Sequence, residues 1–269
     1  MNSPSDCGFL PLVDSHAHLD MEDFDGDRES VVERAAGEGL EGILCPADLT
    51  SRRSLEVTLG LAERFPMVSA AAGVHPHQAS QYRPEHLAEL RRLADEKKIC
   101  AIGEVGLDFH YNLSPPETQR AAFRAQAVLA GELGLPLIIH TRDAGQEAAD
   151  ILEQSGLEGR GVFHCFTEDW KLGERLIDMG YFLSFSGILT FPRAGALRDV
   201  ARRVPGDRLL VETDSPYLVP VPYRGRVKRN EPRFVVEVAR ILADVQGLSP
   251  ESLAALTSSN FRSLFHPGR

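Results

Sequence analysis

Short apolar runs rich in β-branched residues alternate along the chain with longer stretches in which apolar residues recur every three to four positions. The runs are Leu10–Val13, Gly42–Cys45, Met67–Val74, Ile99–Val105, Leu135–Ile139, Gly161–His164, Tyr181–Ser186 and Arg208–Val211. Each is brief and nearly continuous, the signature of a strand buried on both faces. Between them, Arg28–Glu38, Arg52–Arg64, Pro84–Lys97, Pro116–Leu133, Ala144–Gln154, Asp169–Met179 and Ala194–Arg203 carry the periodicity of amphipathic helices. Strands alternating with helices imply right-handed crossovers and a parallel sheet. Eight such units predict an α/β fold closed into a TIM (β/α)8 barrel; an open doubly wound sheet is disfavoured because no strand is followed by GxGxxG. After the last strand come a Pro- and Arg-rich loop, Pro216 to Pro232, and two more helical runs, Arg233–Gln246 and Pro250–Phe265.

The length agrees with this reading. A barrel takes ~250 residues, so 1–269 is expected to be one domain. The net charge of −10 opposes any broad, nonspecific footprint on nucleic acid, so a phosphate-bearing substrate needs local positive charge or metal. Cys7, Cys45, Cys100 and Cys165 show no CxxC spacing and read as reduced, mostly buried thiols, which points to the cytoplasm. Residues 1–11 lack a basic region followed by an apolar one, and no run approaches ~18 apolar residues, so neither a signal peptide nor a membrane span is expected. Nothing in the sequence specifies oligomeric state.

The chemistry collects at strand ends. His16 and His18, one residue apart after the first run, fall on one face of an extended chain. Glu104, His140, His164 and Asp214 each lie in or directly after a later run. A single histidine after a strand is more often a hydrogen-bonded structural residue than a ligand. Six suitable residues at the same end of different strands, however, converge on the catalytic rim of a barrel. Imidazole and carboxylate suit Zn²⁺, Mn²⁺ or Co²⁺, with Mg²⁺ also accepted. Six ligands exceed what one hydrolytic zinc takes, which favours two divalent ions bridged by Glu104. One ion would take His16, His18, Glu104 and Asp214, and the other Glu104, His140 and His164.

The runs DSHAHLD (14–20), GVHPH (73–77), AIGEVGLDFHYN (101–112), PLIIHTRDA (136–144), VFHCF (162–166), ETDSPYL (212–218) and RNEP (229–232) together resemble the TatD family of metal-dependent deoxyribonucleases over nearly the whole chain. The resemblance implies an amidohydrolase-like barrel, two divalent cations and hydrolysis of DNA, often from the 3′ end. It places the family's ligands on the same six residues, His75 against the scissile phosphate and Glu212 beside the metals. Two departures stand out: His164-Cys165-Phe166 is followed by Thr167-Glu168-Asp169 where many relatives have HCFSGS, and the basic loop over 221–230 is longer than the usual PHRGKRNEP.

Asp214 is the candidate to orient or deprotonate the attacking water, besides serving as a ligand, and Glu212 the candidate to steady a ligand from behind. Arg142, Arg224 and Arg226 are candidate phosphate contacts, with Lys228 and Arg229 adding charge to the same loop. Phe109, Tyr111 and Trp170 are candidates to stack on a base, although packing is the commoner fate of such rings. A rival reading is an amidohydrolase acting on a C–N or ester bond. Many of those bridge their metals with a carboxylated lysine, whereas strand four offers Glu104, and Lys97 and Lys98 precede that strand at the wrong end. A non-catalytic binding scaffold is the other rival, disfavoured because every candidate ligand is present.

Overall fold

In the computed structural model, which describes residues 11–157 and 159–266, eight parallel strands lie side by side in chain order. They are β1 (Leu12–Asp14), β2 (Leu40–Asp48), β3 (Val68–Gly73), β4 (Ala101–Asp108), β5 (Leu137–Arg142), β6 (Gly161–Phe163), β7 (Phe182–Phe185) and β8 (Leu209–Val211). The helices are α1 (Arg28–Gly37), α2 (Arg52–Arg64), α3 (Pro84–Asp95), α4 (Pro116–Leu133), α5 (Gly145–Gln154), α6 (Trp170–Asp178), α7 (Gly195–Arg203), α8 (Val235–Gln246) and α9 (Pro250–Phe265). The expected TIM barrel is therefore present. Leu10, the predicted start of the first strand, and Cys7 lie outside the described residues. No described helix is long and apolar enough to cross a membrane.

One apolar side chain from each strand packs in the barrel interior: Val13, Leu44, Ala71, Ala101, Ile138, Val162, Phe182 and Leu210 form a cluster with Phe261 and Phe265. The two phenylalanines stand four apart on α9 and so share a face. That helix is fastened across the N-terminal mouth, because Asn260 Nδ2 donates to the carbonyls of Gly206 (2.8 Å) and Leu209 (2.9 Å) and Ser258 donates to that of Pro11 (2.9 Å). With one mouth plugged by apolar rings, the polar end of the interior is the opposite rim.

The seam between β1 and β8 is closed by the segments that continue from them. Ser15 N–H donates to Val211 O (3.0 Å), Asp214 N–H to His16 O (2.9 Å) and His18 N–H to Ser215 O (2.8 Å), with Ala17 bridged in parallel to Ser215. Asp14, fully buried, accepts from the Thr213 N–H (2.8 Å) and hydroxyl (2.5 Å).

Candidate metal centre

Inward-facing residues alternate along a strand, so three site residues stand two positions beyond an interior apolar one: His140 after Ile138, His164 after Val162, Glu212 after Leu210. The same rule gives Ser15 after Val13 and Ser184 after Phe182, and their hydroxyls meet at 3.1 Å in a polar layer above the apolar one. His16 and His18 differ from expectation. β1 ends at Asp14, and both histidines sit in the extended seam segment beyond it, side by side with Nε2 atoms 3.1 Å apart.

Glu104 also departs from a strand-end position, lying in the middle of β4, which runs on to Asp108. The β4–β5 register shifts between Ile102 and Val105, and an irregularity of this kind re-aims a side chain. Gly106 allows β4 to pass close to β5: its φ is +142°, and a Cβ there would lie 2.0 Å from the His140 carbonyl oxygen. Only glycine fits.

The Glu104 carboxylate is thereby placed at the centre of the cluster. Its Oε2 lies 3.3 Å from His16 Nε2 and 3.4 Å from His18 Nε2. Its Oε1 lies 3.2 Å from His75 Nε2, 2.8 Å from His140 Nδ1 and 2.8 Å from His164 Nε2. Asp214 closes the first group, with Oδ1 3.4 Å from His18 Nε2 and 3.9 Å from His16 Nε2. Oε2 is buried and makes no hydrogen bond, although two imidazole nitrogens face it. Converging lone pairs at these separations suit ligand atoms that each lie ~2.0–2.2 Å from a zinc-sized cation, so the residues fit a metal.

The remaining ring nitrogens distinguish ligand from donor. Glu212 Oε1 lies 3.3 Å behind His164 Nδ1, leaving Nε2 for the centre, and Asp108 Oδ2 lies 3.2 Å behind His140 Nε2, leaving Nδ1. His75 is different: its Nδ1 accepts the His77 backbone N–H at 3.1 Å, so its proton sits on Nε2, facing inward as a donor. Burial pushes the His75 imidazolium pKa down to about 4 despite Glu104, keeping the ring neutral. Burial opposes charge on Glu104 too, but the imidazoles around it, His164 and His75 with His140 and His16, outweigh it and hold the carboxyl well below its usual range. For His18, burial is likewise outweighed, by Asp214 and Glu104, and the pKa rises to about 9.

The structure thus brings His16, His18, His75, Glu104, His140, His164, Glu212 and Asp214 together. Two neighbours were not singled out in the sequence. Asp108, fully buried, bonds both His140 and His77, the latter at 2.8 Å. The signal was available: Glu104 and Asp108 are four apart on one strand and so share a face.

The arginines divide. Arg142 ends β5 on the rim, exposed, with its guanidinium 4.5 Å from the Tyr111 ring centre. Arg224 covers the ring of Phe191 at 3.9 Å, and among the described residues no hydrogen bond or ion pair joins Arg224 or Arg226 to the histidines. Arg229 is committed elsewhere, bonded to both Asp27 carboxylate oxygens (2.6 Å each) and to Asp23 O. Of the three rings proposed to stack, Phe109 and Trp170 pack against the core, beneath Arg120 (5.2 Å) and Arg203 (5.7 Å), while Tyr111 is exposed. Asp169, read as rim charge, caps α6 by accepting from Leu172 N–H at 3.0 Å. Cys45 is buried, while Cys100 and Cys165 are partly exposed.

Asp214 is held in place from behind. Its φ of +54° is one that a non-glycine residue seldom adopts. The buried Asn230 of RNEP donates from Nδ2 to the carbonyls of Thr213 (3.0 Å) and Tyr217 (2.7 Å), donates its N–H to Pro216 O (2.9 Å), and accepts from Glu231 N–H (3.0 Å). A motif that looked like part of the substrate loop is the brace of the Asp214 turn.

Lone pairs converging on the open rim of a (β/α)8 barrel place the protein among metal-dependent hydrolases. The class narrows on comparison: a family model described as TatD related DNase matches residues 13–266, and the chain belongs to the TatD family. It is 43% identical over 259 residues to the uncharacterized metal-dependent hydrolase YcfH of Escherichia coli K12, covering 95% of this chain and 96% of that one. It is 41% identical over 253 residues to the 3′-5′ ssDNA/RNA exonuclease TatD of Rahnella sp., covering 92% and 95%. The crystal structure of YJJV, a TatD homologue from E. coli K12, superposes with a TM-score of 0.88 at 30% identity, covering 96% of this chain and 99% of that one.

Proposed function

We propose that the protein shortens single-stranded DNA or RNA from the 3′ end by hydrolysing phosphodiester bonds, as a single-domain cytoplasmic enzyme using two divalent cations. The observation that carries the reading is the division of Glu104, whose two oxygens face two separate groups of imidazoles. A carboxylate so divided would serve both of two cations. His16, His18, Glu104 and Asp214 would hold one, and Glu104, His140 and His164 the other. Mg²⁺, Mn²⁺ and Zn²⁺ are the candidates. When bound, they supply Lewis-acid polarisation of the phosphate and a lowered pKa for the attacking water.

The chain's own residues complete the reaction. Asp214 turns Oδ1 toward His18, so Oδ2 orients the water and accepts its proton as the water oxygen bonds to phosphorus and the bond from phosphorus to the 3′ oxygen breaks; the proton then passes to the departing 3′ oxygen. His75, neutral with its proton on Nε2, donates to a non-bridging phosphate oxygen. Glu212 and Asp108 fix the tautomers of His164 and His140. Arg142 on the rim and Arg224 and Arg226 beyond β8 bind phosphates of the strand, where the guanidinium fork matches two oxygens. Membership of the TatD related DNase family and similarity to the 3′-5′ ssDNA/RNA exonuclease TatD of Rahnella sp. support this choice among hydrolytic reactions.

The test is incubation of a 5′-labelled single strand with purified protein and Mn²⁺ or Mg²⁺, with and without chelator, beside Glu104→Ala. A ladder of progressively shorter products, lost in both controls, is the expected result. Absence of any ladder on DNA and RNA alike overturns the reading.

A further inference from the structure

Two tyrosines are the exposed aromatic residues among the described part of the chain: Tyr111 at 54% and Tyr217 at 49%. Every other described Phe, Tyr and Trp is buried or half-buried. Both exposed rings stand against histidines of the cluster, and at its opposite ends. Tyr217 meets His18 edge-on, with ring centres 6.4 Å apart, on the side of Asp214 and Glu104 Oε2. Tyr111 meets His77 edge-on at 5.6 Å, on the side of Asp108 and His140.

Each ring is also fixed. The Tyr217 hydroxyl donates to Met21 Sδ at 3.2 Å. The Tyr111 ring is hemmed by His77 and His110 at nearly right angles, 89° and 86°, and covered on one face by the Arg142 guanidinium. Arg142 and Tyr111 thus make a flat, two-layered ledge. Rings held this way lose little freedom when a flat ligand lands on them, and aromatic surface left in water gains from being covered.

Resting on the phosphodiesterase reading above, we propose that Tyr111 and Tyr217 are substrate-binding residues that stack on nucleobases to either side of the reacting phosphate and thereby select unpaired strands. The phosphate sits at the histidine cluster, so nucleotides before and after it reach the two ledges. A base inside a duplex has both faces covered by its neighbours, and only one that has left the helix can offer a face to either tyrosine. Stacking tolerates any base, because every base has a π-face. It is also uncharged, so in a protein of net charge −10 it supplies affinity that salt does not screen.

The test measures KM of the Mn²⁺-loaded enzyme on a natural single strand and on one carrying abasic nucleotides near its 3′ end. Wild type is compared with Tyr111→Ala, Tyr217→Ala and the matching Phe variants. Each Ala variant is expected to raise KM on the natural strand roughly 5- to 150-fold, the range for loss of one stacked base, with the Phe variants near wild type. On the abasic strand the Ala penalty vanishes. A penalty of equal size on both strands, or none on the natural one, overturns the proposal while leaving the nuclease reading intact. If wild type shortens no strand, the nuclease reading fails and this proposal falls with it.

Discussion

The carboxamide of Asn230 lies 3.0 Å from the Thr213 carbonyl and 2.7 Å from that of Tyr217, so one side chain brackets the turn that presents Asp214. Asn230→Ala leaves both carbonyls buried without their donor. Loss of about 1–3 kcal/mol of stability is expected, together with a roughly 10- to 100-fold fall in metal affinity, the usual cost of losing outer support. Calorimetric titration with Mn²⁺ beside thermal melting checks this. A lower melting point with unchanged Mn²⁺ affinity would show that the brace supports the fold and not Asp214.

Glu212 makes the corresponding contact behind His164, at 3.3 Å and fully buried. Glu212→Gln keeps the shape and removes the charge that raises the basicity of the ring. Metal affinity is expected to fall about 10- to 100-fold, measured by competition with a chromophoric chelator. Affinity equal to wild type would sink the supporting role.

Metal uptake is expected to release protons. Burial disfavours the charged imidazoles, yet Glu104 and Glu212 hold the His164 pKa well above its ordinary value, and Asp214 and Glu104 lift that of His18 to about 9. His18 therefore carries the second ring proton of an imidazolium at pH 7 in the metal-free protein, and a ligand nitrogen must give its proton up. Affinity should rise with pH up to about 9 and fall toward acid. Titration in buffers of different ionisation enthalpy counts the protons, and a count of zero at pH 7 contradicts the assignment.

The plug at the other mouth is independent of this chemistry. Phe261 is 4% exposed in the interior cluster, and Phe261→Ala is expected to cost about 3–5 kcal/mol. Urea unfolding measures the loss. Mn²⁺ affinity should be retained, because the cavity opens at the N-terminal mouth and the ligands stand on the opposite rim.

Much of this was legible in the sequence because a strand's side chains alternate strictly. Once Ile138, Val162 and Leu210 are taken as interior, His140, His164 and Glu212 must point the same way, farther up the rim. The misreadings occur where that rule lacks information. β1 stops at Asp14, and His16 and His18 owe their extended path to bonds with Leu44 and with the Ser215 segment, partners no local pattern reveals. Glu104 looked like a strand-end residue because the apolar run pauses there, whereas β4 continues through Gly106 to Asp108. Asp108 went unread for the same reason. The basic loop looked uniform as a string of charges, but Arg229 turns inward to Asp27, and only contacts 202 residues apart decide that.

The β1–β8 seam gives the centre a history as well as a shape. His16, His18 and Asp214 are brought together only when the segments after the first and last strands pair, through contacts such as Asp14 to Thr213 that span 199 residues. Closing so long a loop carries an entropic cost that short-range contacts do not bear. A chain still emerging during synthesis, or clipped before β8, carries His16, His18 and Glu104 but cannot assemble them with Asp214. Hydrolytic competence is therefore a property of the finished molecule, switched on by the same step that completes the barrel.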